Sequence, residues 1–174
     1  MPARVIDVIM QRCSVRHFKD EPVSRKVIEQ VLEAARWAPS AGNLQPWFFY
    51  VVSDPDLRRC LAAAALKQKF IGEAPVVIVV CAEPARSAKY YGDRGRELYC
   101  LQDTAAATQN ILLAAAAYGL GACWVGAFEE SQVRHCLGIP PELRPVAIVP
   151  MGYPAPSTEK RPGRRGLDEI RRYV

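Results

Sequence analysis

The chain has 174 residues, about half of them apolar and a quarter charged, with a formal net charge of +5. That composition excludes a disordered chain, and the length suits one domain over residues 1–174 with a real core. Basic residues are mostly scattered among acids and are densest over 158–172, which favours local anion binding over a nucleic-acid footprint.

In chain order, residues 4–11 predict a short helix leading into the loop Arg12-Cys13-Ser14-Val15-Arg16. Ser24 suits the N-cap of a second helix, in which Val27, Ile28, Val31, Leu32 and Ala35 share one face, and Pro39 limits its far side. A polar loop over 40–46 precedes a strand from Trp47 to Val52, and Pro55 opens a helix running to about Ala65. Val76 to Cys81 is a continuous apolar, β-branched run, the pattern of a strand buried on both faces. The 84–99 stretch leaves two readings, a mobile segment over a site or a solvated helix anchored by Tyr90, Tyr91 and Tyr99.

An alanine-rich helix is expected over 101–118, ended by Gly119 and Gly121, with a strand from Ala122 to Ala127 behind it. Its bland apolar surface suits either a homodimer face or the interior of a monomer. Ile111 to Phe128 is long enough to span a membrane, but its glycines make it a buried helix, a turn and a buried strand. A helix over 130–137 stops at Gly138, Val146 to Met151 forms a fourth strand, 154–166 reads as an extended tail with a defined contact, and 154–174 as a whole as an extended C-terminal arm. Regular βαβ spacing and a GxGxxG turn are both missing, which argues against a dinucleotide-binding Rossmann unit and for an α+β core, helices around a small sheet.

No secretory leader is evident, and the six cysteines include no CxxC pair. Cys81 and Cys123 lie in apolar runs and read as small hydrophobes. With two histidines a zinc centre is not expected, and a reducing cytoplasm fits best. Arg12 and Arg16 flank Ser14, forked donors and a hydroxyl that suit a phosphate or form a solvated basic turn. Lys160 and Arg161 are either a second anion ligand or a charged tail, and gain weight if the tail folds back to the first loop. In the 39–43 loop, Pro39, Ser40, Ala41 and Gly42 lead to Asn43, which with Gln45 can read a ring edge or close an Asx turn. Trp47, Tyr118 and Trp124 read as structural, His17 as a candidate for a cofactor oxygen, and His135 as solvent-facing or capping a helix end. Asp103 and Glu129 are lone carboxylates. No nucleophile–base–orienter set can be assembled, which favours a cofactor carrying the chemistry.

At this point the chain resembles the FMN-dependent nitroreductase family in its short form. The match runs through R-C-S-V-R-H-F at 12–18, A-P-S-A-G-N-L-Q-P-W at 38–47, A-P-V-V-I-V at 74–79, D-T-A-A-A-T-Q-N-I-L-L-A-A at 103–115, G-L-G-A-C-W-V-G-A-F at 119–128, M-G-Y-P at 151–154 and K-R-P at 160–162. The resemblance implies a nitroreductase-like, mostly antiparallel sheet surrounded by helices, in an intertwined homodimer with C-terminal exchange through 163–174. It also implies that Arg12, Ser14 and Arg16, joined by Lys160 and Arg161, bind the FMN phosphate and ribityl chain. Cys13 stands where the family more often has Arg or His, and implies a backbone contact. Pro39, Ser40, Ala41 and Asn43 would approach the flavin from the partner subunit, and Gly126 and Ala127 would lie near its reactive edge. Lys69 matches a flavin-contacting position of longer relatives. The implied activity is ping-pong hydride transfer from NADH or NADPH through flavin N5 to a nitroaromatic or quinone, with no catalytic side chain. Alternatives are reductive dehalogenation or ring dehydrogenation on the same scaffold, or a non-catalytic flavin-binding dimer. Nucleic-acid and membrane partners are not expected.

Overall fold

The computed structural model describes residues 5–157 and 162–174. Its centre is a four-stranded antiparallel sheet, β1 (Trp47–Val52), β2 (Val76–Ala82), β3 (Gly121–Ala122) and β4 (Arg144–Gly152), in the order β1-β2-β4-β3. Every residue of β2 is buried, as its continuous apolar run requires. Its alternate side chains feed two cores. Ile78 and Val80 pack with Val31, Ala35, Ala107 and Ile111 on one face. Val77, Val79 and Cys81 pack with Leu61, Ile71 and Val133 on the other.

The first face is covered by α2 (Arg25–Arg36) and the alanine-rich α6 (Cys100–Ala117), with α1 (Val5–Gln11) lying against α6. Ser24 caps α2 by accepting from the Val27 amide. α3 (Pro55–Ala64), α4 (Phe70–Glu73) and α7 (Glu130–Leu137) cover the second face. Asp54 caps α3 through the Asp56 and Leu57 amides, both at 2.9 Å. Gly138 closes α7 in the left-handed conformation. Cys60 on α3 and Cys136 on α7, 76 residues apart, form a disulfide that nothing in the cysteine spacing foretold. The pair meets because both helices pack on one face. Cys81 and Cys123 are buried and take no part in the disulfide, as expected of small hydrophobes.

Of the two readings for 84–99, the helical one holds. α5 (Pro84–Arg94) breaks at Gly92 and runs through a π-helical turn, Gly95–Tyr99, directly into α6. Gly95 is required there, since a Cβ would lie 2.4 Å from the Ser87 carbonyl oxygen. Tyr91 and Tyr99 meet edge to face at 5.2 Å.

The strand expected over Ala122 to Ala127 is corrected to two residues, β3, followed by a single bridge from Val125 to Ile148. The cause lies in β4. Cys123 donates to the Pro150 carbonyl at 3.2 Å, but proline has no N–H to return, so the ladder breaks. Beyond the bridge of Phe18 to Pro154, the described residues up to Gly166 form neither helix nor strand, and a short α8 (Leu167–Ile170) follows. Among the described residues no helix is long and apolar enough to cross a membrane.

Candidate functional site

The 12–16 loop leaves α1 and is sewn to the body on two sides. Val15 donates to the Ala122 carbonyl at 3.0 Å, and Ser14 bridges Ala122. Lys19 donates to the Tyr153 carbonyl at 2.8 Å, and Ala155 donates to the His17 carbonyl at 3.0 Å. The start of the C-terminal arm therefore lies beside the first loop. Lys160 and Arg161 themselves lie outside the described residues. Arg12, Cys13 and Val15 line a cleft of about 350 Å³ whose floor includes Leu112 and Ala116 of α6. The Arg16 guanidinium sits 5.8 Å over the Phe70 ring, next to the exposed Lys69.

On the same side, the Gln68 amide donates to the Ala127 carbonyl at 3.3 Å, and Glu129 N–H donates to the Ala64 carbonyl at 2.9 Å. These bonds hold the turn carrying Gly126 and Ala127, both exposed. A Cβ at Gly126 would meet nothing within 4 Å, so its backbone is open to a close approach. Trp124, expected to be packed, is 39% exposed and lines a second cleft with Gly126, Phe128 and Thr104. An ion pair, Arg144 with Glu130 at 2.7 Å, also lines it.

The 39–45 loop is folded on itself. Ser40 Oγ accepts from the Gln45 amide at 2.9 Å, and the Asn43 amide donates to the Ser40 carbonyl at 2.9 Å. Gly42, Asn43 and Gln45 all have positive φ, near 55°. Asn43 thus takes the turn role, while its side chain stays exposed and accepts from Gln45 Nε2 at 3.3 Å. Two bonds tie the loop to the body. Arg86 Nε donates to the Leu44 carbonyl, and the Ala41 amide donates to Asp103 Oδ1 at 3.1 Å. Asp103 is only 7% exposed, and burial pushes its pKa above the usual carboxylate value against the opposing bond from Ala41.

The candidate residues fall in separate places. Arg16 lies over Phe70 beside Lys69, and Gln68 of the same stretch reaches the turn of Ala127. Pro39, Ser40, Ala41 and Asn43 belong to the loop held by Asp103 in the first turn of α6, and Gly126 lines a cleft with Leu101 and Thr104 of that same turn. The cleft of Arg12 and Cys13 touches the helix at Leu112 and Ala116, nine and thirteen residues beyond Asp103, or about 13–20 Å along its axis. Gln68, Phe70 and the role of Asp103 escaped the sequence reading. Asp103 carried a signal, a lone acid in an apolar helix.

The nitroreductase family model matches residues 9–69 and 61–153. A protein of Archaeoglobus fulgidus, provisionally named an NADH dehydrogenase/NAD(P)H nitroreductase, is 39% identical over 153 residues, covering 86% of this chain and 84% of its own. The 5,6-dimethylbenzimidazole synthase of Rhodospirillum rubrum is 31% identical over 172 residues, covering 86% and 82%. The crystal structure of a nitroreductase family protein from Clostridium novyi superposes with a TM-score of 0.81 at 32% identity, covering 91% and 89%.

Proposed function

Because the chain belongs to the nitroreductase family, we propose that it is an FMN-dependent oxidoreductase working as an intertwined homodimer, with one domain over 1–174 in each copy. The residues present fit the cofactor. Two guanidinium groups and a hydroxyl belong to one loop, the Gly126 backbone is open to close approach, and a second loop carries amide and hydroxyl groups. When bound, FMN would take hydride from NADH or NADPH at N5 and pass it to a flat acceptor such as a nitroaromatic or quinone, in ping-pong order.

The protein's part is binding and electrostatics. Arg12, Arg16 and Ser14, with Lys160 and Arg161, grip the phosphate and ribityl chain, and Cys13 contributes backbone atoms. Gly126 and Ala127 admit the reactive ring edge to the open turn. Pro39, Ser40, Ala41 and Asn43 come from the second copy. Donors fixed around the ring stabilise the negative charge that builds during reduction.

The observation that supports two-chain sites is the separation along α6 of the Arg12–Cys13 segment from the 39–43 loop. A two-fold pairing that runs this helix antiparallel to its copy sets each chain's 39–45 loop beside the other's 12–16 loop. The exposed apolar side chains of α1, Val5, Ile6, Ile9 and Met10, together with Trp37 at 75% exposure, suit such an interface. C-terminal exchange is supported by the exposed Leu167, Ile170 and Tyr173, and by the outer position of β1, whose edge can accept an extended segment.

Purified protein is expected to show the absorbance of bound oxidised flavin, to bleach with NADH or NADPH, and to elute with the mass of two chains. A colourless protein that cannot be reconstituted with FMN rejects the proposal, and elution as one chain at micromolar concentration rejects the two-chain site. A second reading, ring chemistry on the same scaffold, is favoured by the likeness to the Rhodospirillum rubrum synthase. Product formation compared across nitro, quinone and halogenated acceptors separates the two. Tight FMN binding without turnover marks a non-catalytic flavin-binding dimer instead.

A further inference from the structure

We propose that Asp103 is the positioning residue of the 39–45 loop, holding the Ala41 amide through Oδ1 and thereby setting Ser40 and Asn43 for the flavin. The second half of that statement rests on the function proposed above; the first rests on the geometry alone. The loop contains two non-glycine residues in the left-handed region, Asn43 and Gln45. Such residues persist where their surroundings over-determine them. Inside the loop, short-range bonds supply part of that constraint. They close the loop on itself but do not orient it against the body.

Orientation comes from the two outward bonds. Arg86 is exposed and shared with Glu83 at 3.6 Å, so solvent competes for it. Asp103 is the buried anchor, and its bond joins residues 62 apart in sequence. Its Oδ2 is enclosed with no hydrogen-bond partner among the described residues. A charged carboxylate with a bare buried oxygen is costly, so the site favours the neutral acid, in line with the upward pKa. A neutral acid still accepts at Oδ1. Asparagine has the same shape and the same acceptor, whereas alanine has none. The Tyr91 hydroxyl of α5 also approaches the loop tip, 2.6 Å from where a Cβ on Gly42 would stand.

The test compares Asp103→Ala and Asp103→Asn with the parent protein in two measurements. Amide hydrogen exchange of the 39–45 segment, read in flavin-free protein, reports loop holding without any reference to FMN. Fluorescence titration with FMN reports what that holding does for binding. Asp103→Ala is expected to lower Ala41 amide protection and FMN affinity by roughly 10-fold or more each, the scale of one buried hydrogen bond. Asp103→Asn is expected to keep both within about threefold. Unchanged protection in Asp103→Ala, or equal losses in the two variants, overturns the proposal. Lost protection in Asp103→Ala, retained in Asp103→Asn, in a parent that binds no FMN keeps the loop anchor and rejects the proposed function. Should Asp103→Ala fail to fold, the Asn variant decides: loss of Ala41 protection there overturns the assignment, and retention supports it.

Discussion

Replacing Gly121 by alanine tests how the 12–16 loop is seated. A Cβ at this position would stand 2.6 Å from both Cβ and Cγ1 of Val15 and 2.8 Å from its Cγ2. Carbon atoms in good contact sit about 3.5–4.0 Å apart, so Val15 must retreat by about 1 Å. The clash includes the Val15 Cβ itself, so no rotamer change relieves it, and the backbone has to move. That movement stretches the 3.0 Å bond from Val15 N–H to the Ala122 carbonyl past useful length. Overpacking of this kind costs about 1–3 kcal/mol, and the lost bond roughly 1 kcal/mol more. At roughly 2–4 °C per kcal/mol for a chain of this size, Gly121→Ala should melt about 4–16 °C below the parent. Ser14 and Arg16 move with Val15, so FMN retention should fall as well. Gly126→Ala is the control, because a Cβ there meets nothing within 4 Å and the flavin-free melting point should hold. Thermal melts of flavin-free protein followed by FMN titration supply both numbers. A Gly121→Ala protein melting within about 2 °C of the parent refutes the seating described above.

Replacing Arg12 and Arg16 together by alanine should weaken FMN binding about 10- to 100-fold, while His135→Ala, exposed on α7, should leave it unchanged; equal retention in both proteins sinks the phosphate assignment. Asp103 binds its proton more tightly in the folded chain than in the unfolded one, where its pKa is about 3.9, so burial carries no penalty below that value and an increasing one as pH rises toward the folded pKa. Asp103→Asn should therefore gain melting temperature on the parent between about pH 4 and pH 7, and a constant difference across that range would contradict the buried acid. In native protein an alkylating reagent should reach the exposed Cys13 first among the cysteines outside the disulfide, leaving the buried Cys100, Cys123 and Cys81, the last with its thiol pKa pushed by burial up to about 12. Cys60 and Cys136 should label only after a dithiol reductant, which peptide mass mapping can verify.

Much of the fold was legible because local chemistry decided it. Trp47 to Val52 and the 130–137 helix are bounded by prolines, acids and Gly138, and their limits match the structure. The 122–127 strand was misread because the residue that ends it, Pro150, sits on the neighbouring strand, where no period within the segment reveals it. The Cys60–Cys136 bond was illegible for the same reason, since only the packing of α3 on α7 brings the thiols together. Within the candidate site, charged and glycine-bearing loops announced themselves. Asp103 showed itself only as a lone acid in an apolar helix, and its role stayed hidden because its partner is a backbone amide, which leaves no mark on the residue type. Trp124 was expected inside because aromatic bulk normally is, yet the broken ladder beyond Cys123 turns it outward.

The distance between the two loops along α6 has a genetic consequence. A copy crippled at Arg12 and Arg16 still offers a sound 39–45 loop, and a copy crippled at Asn43 still offers a sound first loop. With the two-chain site proposed above, two individually inactive alleles expressed together would form hybrids in which one composite site collects both defects and the other collects neither. With random pairing, about a quarter of the sites would be sound, and activity at that level from two dead parents is the signature such shared architecture would leave.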